Sequence, residues 1–230
     1  MSYDQTHWVP VQRRGPLPTY YYHEHFVEML DFVDEHYQHV FLEEHDAFVR
    51  DFRELPLDAQ RLYVRLINRR GRVFARNRLR YPDLGDVSVP LEALQDNGWV
   101  GHPRAEYFNE ILSFVTRDDL YRILAQRFTG LAKSLKKSQL VDFARANMAP
   151  QDLVDALQTR RIVVQRRGHE LGYLMYLFFG RIRHSLSQFT MRDLGLVRTQ
   201  SLGAGYEPRF SERDEALESY FFASRLDELR

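Results

Sequence analysis

The sequence predicts a mainly α-helical protein with a winged-helix-like N-terminal domain. Three observations predict it. Apolar residues recur at steps of three and four through most of the chain. Helix-stopping Pro and Gly residues divide those stretches at helix-length intervals. In the first hundred residues the order is helix, helix, short helix and then a strand after Gly98, which is the order of a winged helix-turn-helix. A hydrophobic fraction of 44%, with 16 Phe, 13 Tyr and 2 Trp, supplies a core and excludes intrinsic disorder for most of the chain.

Residues 1–18 hold Pro10, Gly15, Pro16 and Pro18 and read as an irregular arm. From Tyr20, the residues Phe26, Leu30, Val33, Tyr37, Val40 and Phe41 share one helix face. Leu42 to Phe52 continues in helical style until Leu55-Pro56, because proline disfavours the α conformation in the residue before it. Leu57 to Asn68 is a second helix, with Leu62, Tyr63, Leu66 and Ile67 inward and Asp58 in the first turn, where a negative charge suits the helix dipole. Ser88 is placed to cap a further helix with Pro90 in its first turn, and Asn97-Gly98 to end it. Trp99 and Val100 begin a short strand.

A helix near Glu106 to Ser113 follows. Thr116 is then a good N-cap, three residues before Asp119. The helix 117–127, a loop at Thr129-Gly130 and the helix Ser138 to Ala146 make residues 116–150 a compact helix–loop–helix unit. Asp152 to Gln158 starts another helix, and Leu171 to Phe189 reads as a long apolar helix interrupted or bent at Gly180. Residues 193–210 look irregular. Ser211 is placed to cap a last helix, patterned to the final residue, which reads as part of something longer.

Composition excludes several functions. Without Cys there is no disulfide scaffold, thiolate zinc site, iron–sulfur cluster or cysteine nucleophile. The first twenty residues hold no apolar run of the signal-peptide kind. The longest apolar run, Gly172 to Gly180, is about half what a bilayer requires, so no membrane partner is expected and the chain reads as cytoplasmic, nucleoid-associated if bacterial. Neither G-x-x-x-x-G-K-[ST], G-x-G-x-x-G nor G-x-S-x-G occurs, and no Glu-x-Lys pair that could serve a metal-dependent nuclease. The five His from His23 to His45 include an i,i+3 pair, His36 and His39, but no H-E-x-x-H, and read as structural. No catalytic or metal site is expected in this chain.

Charge carries the information. Lys plus Arg and Asp plus Glu are each 32, yet residues 61–80 hold eight Arg and no acid, while residues 23–54 hold ten acids and two Arg. All three Lys lie within 133–137, and Arg160, Arg161, Arg166 and Arg167 form a third cluster. Arg65, Arg69, Arg72 and Arg76 would share one face if their helix continued. One reading is a phosphate-binding surface, with Arg70 and Arg127 beside these four; the other is a solvated face that neutralises segment 23–54. The lysine cluster shifts the balance toward nucleic acid, since lysine is a frequent phosphate partner.

Five stretches carry a family resemblance: Tyr21 to Val33, Leu55 to Leu84 with its AQRLYVRL string, Leu91 to Val100, Thr116 to Phe143 and Leu174 to Leu196. Over most of its length the sequence resembles the N-terminal part of the Fanconi-associated nuclease family, also called the VRR-NUC nucleases. The resemblance implies a winged-helix-like region at residues 1–115, a duplex-gripping SAP-like unit at 116–150 and the start of a helical TPR-like region at 151–230. It implies structure-specific binding of double-stranded or branched DNA in the repair of cross-links, and 5′-flap cleavage of the phosphodiesterase I type by a later domain that takes Mg²⁺ or Mn²⁺ and would contact this part. The nuclease motifs of that domain do not occur here, so the implication stops at DNA binding. On the SAP-like unit it places Lys133, Lys136 and Lys137 at phosphates, and Leu120, Leu124, Leu140 and Val141 in the core. A non-catalytic protein-docking scaffold and a freestanding winged-helix regulator are the alternatives.

Overall fold

A computed structural model describes residues 17–157, 162–182 and 206–228. These residues pack as two compact units, one from residues 1–68 and 167–230, the other from residues 69–166. The expected division at 115/116 and 150/151 follows sequence order; this grouping follows packing.

In the first unit, α1 (Tyr21–Tyr37) turns the expected face inward: Phe26, Leu30, Val33 and Tyr37 are buried. α2 (Glu43–Glu54) and α3 (Leu57–Ile67) join at Pro56, and Phe52 and Tyr63 close on Phe26 at ring distances of 4.9 and 6.5 Å. α9 (Gly168–Phe179) packs on α1 and α2 and buries Tyr173, Leu174 and Leu177. It ends at Gly180, whose φ of +72° an L side chain rarely adopts, so the expected helix through Phe189 stops there. Residues 183–189 of that expectation lie outside the described residues. α10 (Arg213–Glu228) begins two residues after Ser211, so Glu212 rather than Ser211 stands just before it. The acids of the 23–54 segment are met locally: Arg53 bridges Asp31 and Asp34 at 2.8 and 2.7 Å, and Arg167 reaches Asp51 at 2.9 Å.

The second unit is built on a three-stranded antiparallel sheet in the order β1-β3-β2. β1 (Val73–Ala75) and β2 (Val100–Gly101) flank the central β3 (Ile162–Gln165), in the register Val73↔Val164 and Gly101↔Val164. All four β3 residues are buried, as a central strand's should be. α4 (Ser88–Asp96) begins one residue earlier than expected: Ser88 is its first residue and no cap, because Asp86 Oδ1 already accepts the Ser88 amide at 2.9 Å. Pro90 lies in its first turn, and Gly98, at φ +75°, turns the chain into β2. α5 (Phe108–Phe114), α6 (Arg117–Ala125), α7 (Lys137–Asn147) and α8 (Pro150–Leu157) enclose a core of Ile111, Leu120, Leu124, Leu140, Leu153 and Val164. Val141 packs partly buried against it.

Candidate nucleic-acid interface

The lysine cluster sits on a loop that α6 holds in shape. Thr116 caps α6, accepting the Asp119 amide at 3.2 Å. Arg117, in its first turn, directs its guanidinium at the loop: Nε donates to the Leu135 carbonyl at 3.1 Å, Nη2 to that of Lys133, and Nη1 meets Asp118 at 2.8 Å. Tyr121 Oη donates to the Leu131 carbonyl at 3.2 Å. Three loop carbonyls thus face α6, and the side chains of Lys133 and Lys136 are exposed to solvent. The Lys136 amide donates to Gln139 Oε1 at 2.8 Å and closes the start of α7. Both lysines therefore stand where the amide end of a helix adds its own positive field.

Lys137 leads to a second basic group. Its Nζ donates to the Ser113 carbonyl at 2.6 Å. One turn earlier on α5, Asn109 Oδ1 accepts from Arg145 Nε at 3.1 Å. Asn109 and Ser113 line a cleft of about 570 Å³ with Arg70, Arg72, Glu110 and Phe114. Arg72 lies 5.8 Å from the Tyr107 ring, and burial, then the neighbouring Glu106, hold the Tyr107 phenol above its usual value. Around one face of α5 the fold thus gathers cations from three separate stretches: Arg70 and Arg72 before β1, Lys137 at the start of α7 and Arg145 near its end.

Other expected residues have different surroundings. The proposed common face of Arg65, Arg69, Arg72 and Arg76 does not form, because α3 ends at Ile67 and Gly71, at φ +85°, turns the chain into β1. Arg65 stays on α3 in the first unit, half-buried, its guanidinium 3.8 Å above the Tyr22 ring. Arg69 donates to Tyr81 Oη at 3.3 Å and lies 5.7 Å from the Phe74 ring. Arg76 is held by Glu92 at 3.0 Å and Gln95 at 3.3 Å, and Arg127 by Asp152 at 2.8 Å. Each of these two is tied to a carboxylate, the second of the two readings of the charge pattern. Arg160 and Arg161 lie outside the described residues.

Sequence reasoning missed Arg117 and Arg145. Arg117 carried a signal: a cation in a helix's first turn opposes the dipole and calls for a partner elsewhere. Among the described residues no three of His, Asp and Glu gather as a metal-binding group. His39 donates to, or accepts near, the Phe210 carbonyl region through Nε2 at 2.9 Å, His36 packs 4.6 Å from Phe32, and His23 bonds Gln60 at 2.8 Å. His45 is buried; desolvation, and then the nearby His169, lower its pKa to about 4. No described helix is long and apolar enough to cross a membrane.

Comparison with known proteins follows the same chain segments. The family model described as "FAN1, HTH domain" matches residues 20–101. The chain is 31% identical over 206 residues to the Fanconi-associated nuclease 1 homolog of Pseudomonas aeruginosa, covering 81% of this chain and 34% of that protein. It is 25% identical over 201 residues to the homolog of the same name from Arabidopsis thaliana, covering 81% of this chain and 22% of that one. The chain thus spans about a third of the first relative and less of the second. Two crystal structures of paFAN1, bound to 5′-flap DNA with a gap, superpose with TM-scores of 0.76 and 0.75 at 24% identity. The first covers 93% of this chain and 40% of that one, and the second 91% and 40%. At that identity the likeness establishes the fold.

Proposed function

The chain belongs to the Fanconi-associated nuclease family, and on that premise we propose that it binds duplex and branched DNA through the phosphates, as the DNA-binding part of a structure-specific 5′-flap repair nuclease. The observation that carries the reading is the gathering of Arg70, Arg72, Lys137 and Arg145 about α5, beside a braced loop that presents Lys133 and Lys136. Contacts of this kind read the position and shape of the backbone, not base identity. The relatives' names place a nuclease on the longer proteins. We assign cleavage, with Mg²⁺ or Mn²⁺, to the part of those proteins that this chain does not match. The SAP-like role of residues 116–150 is supported by the two short helices, the buried Leu120, Leu124 and Leu140, and the exposed lysines between them.

Fluorescence anisotropy with a labelled blunt duplex and a 5′-flap duplex, titrated across a salt series, tests the reading. Each phosphate contact contributes about 0.9 to the slope of log affinity against log salt. Reversing Lys133, Lys136 and Lys137 to Glu is expected to weaken binding to every duplex sequence alike and to flatten that slope by about 2 to 3. Unchanged affinity and slope would remove the lysine loop from the interface. A wild-type protein with no salt-dependent duplex binding would return the chain to a protein-docking role, and a strong preference for one sequence to a winged-helix regulator.

A further inference from the structure

We infer that the arginine-rich stretch from Arg70 to Arg80 lines a groove for the phosphodiester backbone of one unpaired DNA strand; this rests on the DNA-binding reading above and adds a second, single-stranded part to the ligand. Three clefts follow this stretch in order. The first, of about 570 Å³, is the one beside α5 that holds Arg70 and Arg72. The second, of about 420 Å³, holds Arg78 and Arg122 with Asn77 and Phe114. The third, of about 470 Å³, holds Arg76 and Arg80, again with Asn77. Neighbouring clefts share a wall residue: Phe114 joins the first to the second, and Asn77 the second to the third. They therefore run on from one another along a single course.

Each cleft carries two arginines against one carboxylate: Glu110, Asp119 and Asp86 in turn. Asp119 is held by Arg122 at 2.6 Å, and Asp86 accepts the Ser88 amide. The course keeps a net positive charge at every step, and guanidinium forks match phosphate oxygens. Concavity selects the form of the ligand. A duplex is a stiff rod, and a protein meets its phosphates from outside; a lone strand is flexible and enters a narrow groove that tracks its backbone. Half-buried Phe114, where two clefts meet, offers the aromatic face on which an unpaired base stacks. Arginines along a groove with an aromatic between them are the usual means of holding single strands.

The test uses the full chain, a labelled oligo-dT as unstructured strand and a labelled blunt duplex. Arg78, Arg80 and Arg122 are exposed and stand outside the duplex surface proposed above, so the triple variant R78A/R80A/R122A is expected to keep the wild-type circular dichroism and duplex affinity. Its affinity for oligo-dT is expected to fall roughly tenfold or more, with a salt slope lower by about 2, at about 0.7 per contact. Phe114→Leu is expected to weaken oligo-dT binding and leave the slope unchanged, because it removes stacking and no charge. Oligo-dT binding that the triple variant retains, or loses only in step with duplex binding, would overturn the inference. A wild type that binds duplex but not oligo-dT would overturn it too, while leaving the duplex reading intact; a wild type that binds neither would overturn both.

Discussion

Acidification is expected to destabilise the first unit through a single side chain. His45 is 1% exposed, its ring lies 4.4 Å from that of Tyr173 in a stacked arrangement, and its Nδ1 accepts the Leu42 amide at 3.0 Å. That hydrogen bond closes the start of α2 and needs the lone pair that protonation would fill. Burial, and then the neighbouring His169, lower the pKa of His45 from 6.5 to about 4. The sign follows: between these values the unfolded chain binds a proton that the folded chain refuses. Stability is therefore full above about pH 6.5 and declines as pH falls toward 4, by about 1.4 kcal/mol at pH 5.5 and about 2.5 kcal/mol at pH 4.5. His45→Gln is the informative comparison, because glutamine at this helix position can accept the same amide without titrating. Urea denaturation followed by circular dichroism at pH 7.5, 5.5 and 4.5 should show wild type losing more stability than the variant by those amounts, other titrations cancelling in the difference. Parallel pH profiles for the two proteins would refute the assignment.

Three further outcomes follow from the second unit. Leu140→Ala, at a fully buried position between α6 and α7, should cost about 2 to 5 kcal/mol in urea denaturation. Gly98→Ala should cost about 1 kcal/mol by thermal denaturation, from backbone strain alone, since φ is +75° and no atom lies within 4 Å of the added methyl group. Arg117→Ala should lower duplex affinity several-fold by anisotropy, because it frees the Lys133 and Leu135 carbonyls and loosens the loop that presents the lysines, while leaving the burial of Leu120 intact.

The helices were largely legible because their signals are local. The three-and-four spacing of Phe26, Leu30 and Val33, the break at Pro56, the Thr116 cap and the turn at Gly98 each act within a few residues and stand where the spacing predicts. β3 was not legible. Ile162 to Gln165 is too short to show a period, and its identity as a central strand comes from partners far back in the chain. The same distance limit governs the charges. The lysine loop could be read as one feature, whereas the meeting of Arg70, Arg72, Lys137 and Arg145 about α5 depends on tertiary packing. So does the difference between Arg76, tied to Glu92, and Arg78, exposed beside it.

The sheet also sets an order of events during synthesis. β1 and β2 do not pair with each other; each finds its partner only in β3, and Val73 waits for Val164. Until that late segment leaves the ribosome, two strand edges stand open in the nascent chain, and closing them spans a long loop with its entropic cost. The helices between can fold as they emerge, but the sheet beside them is completed last.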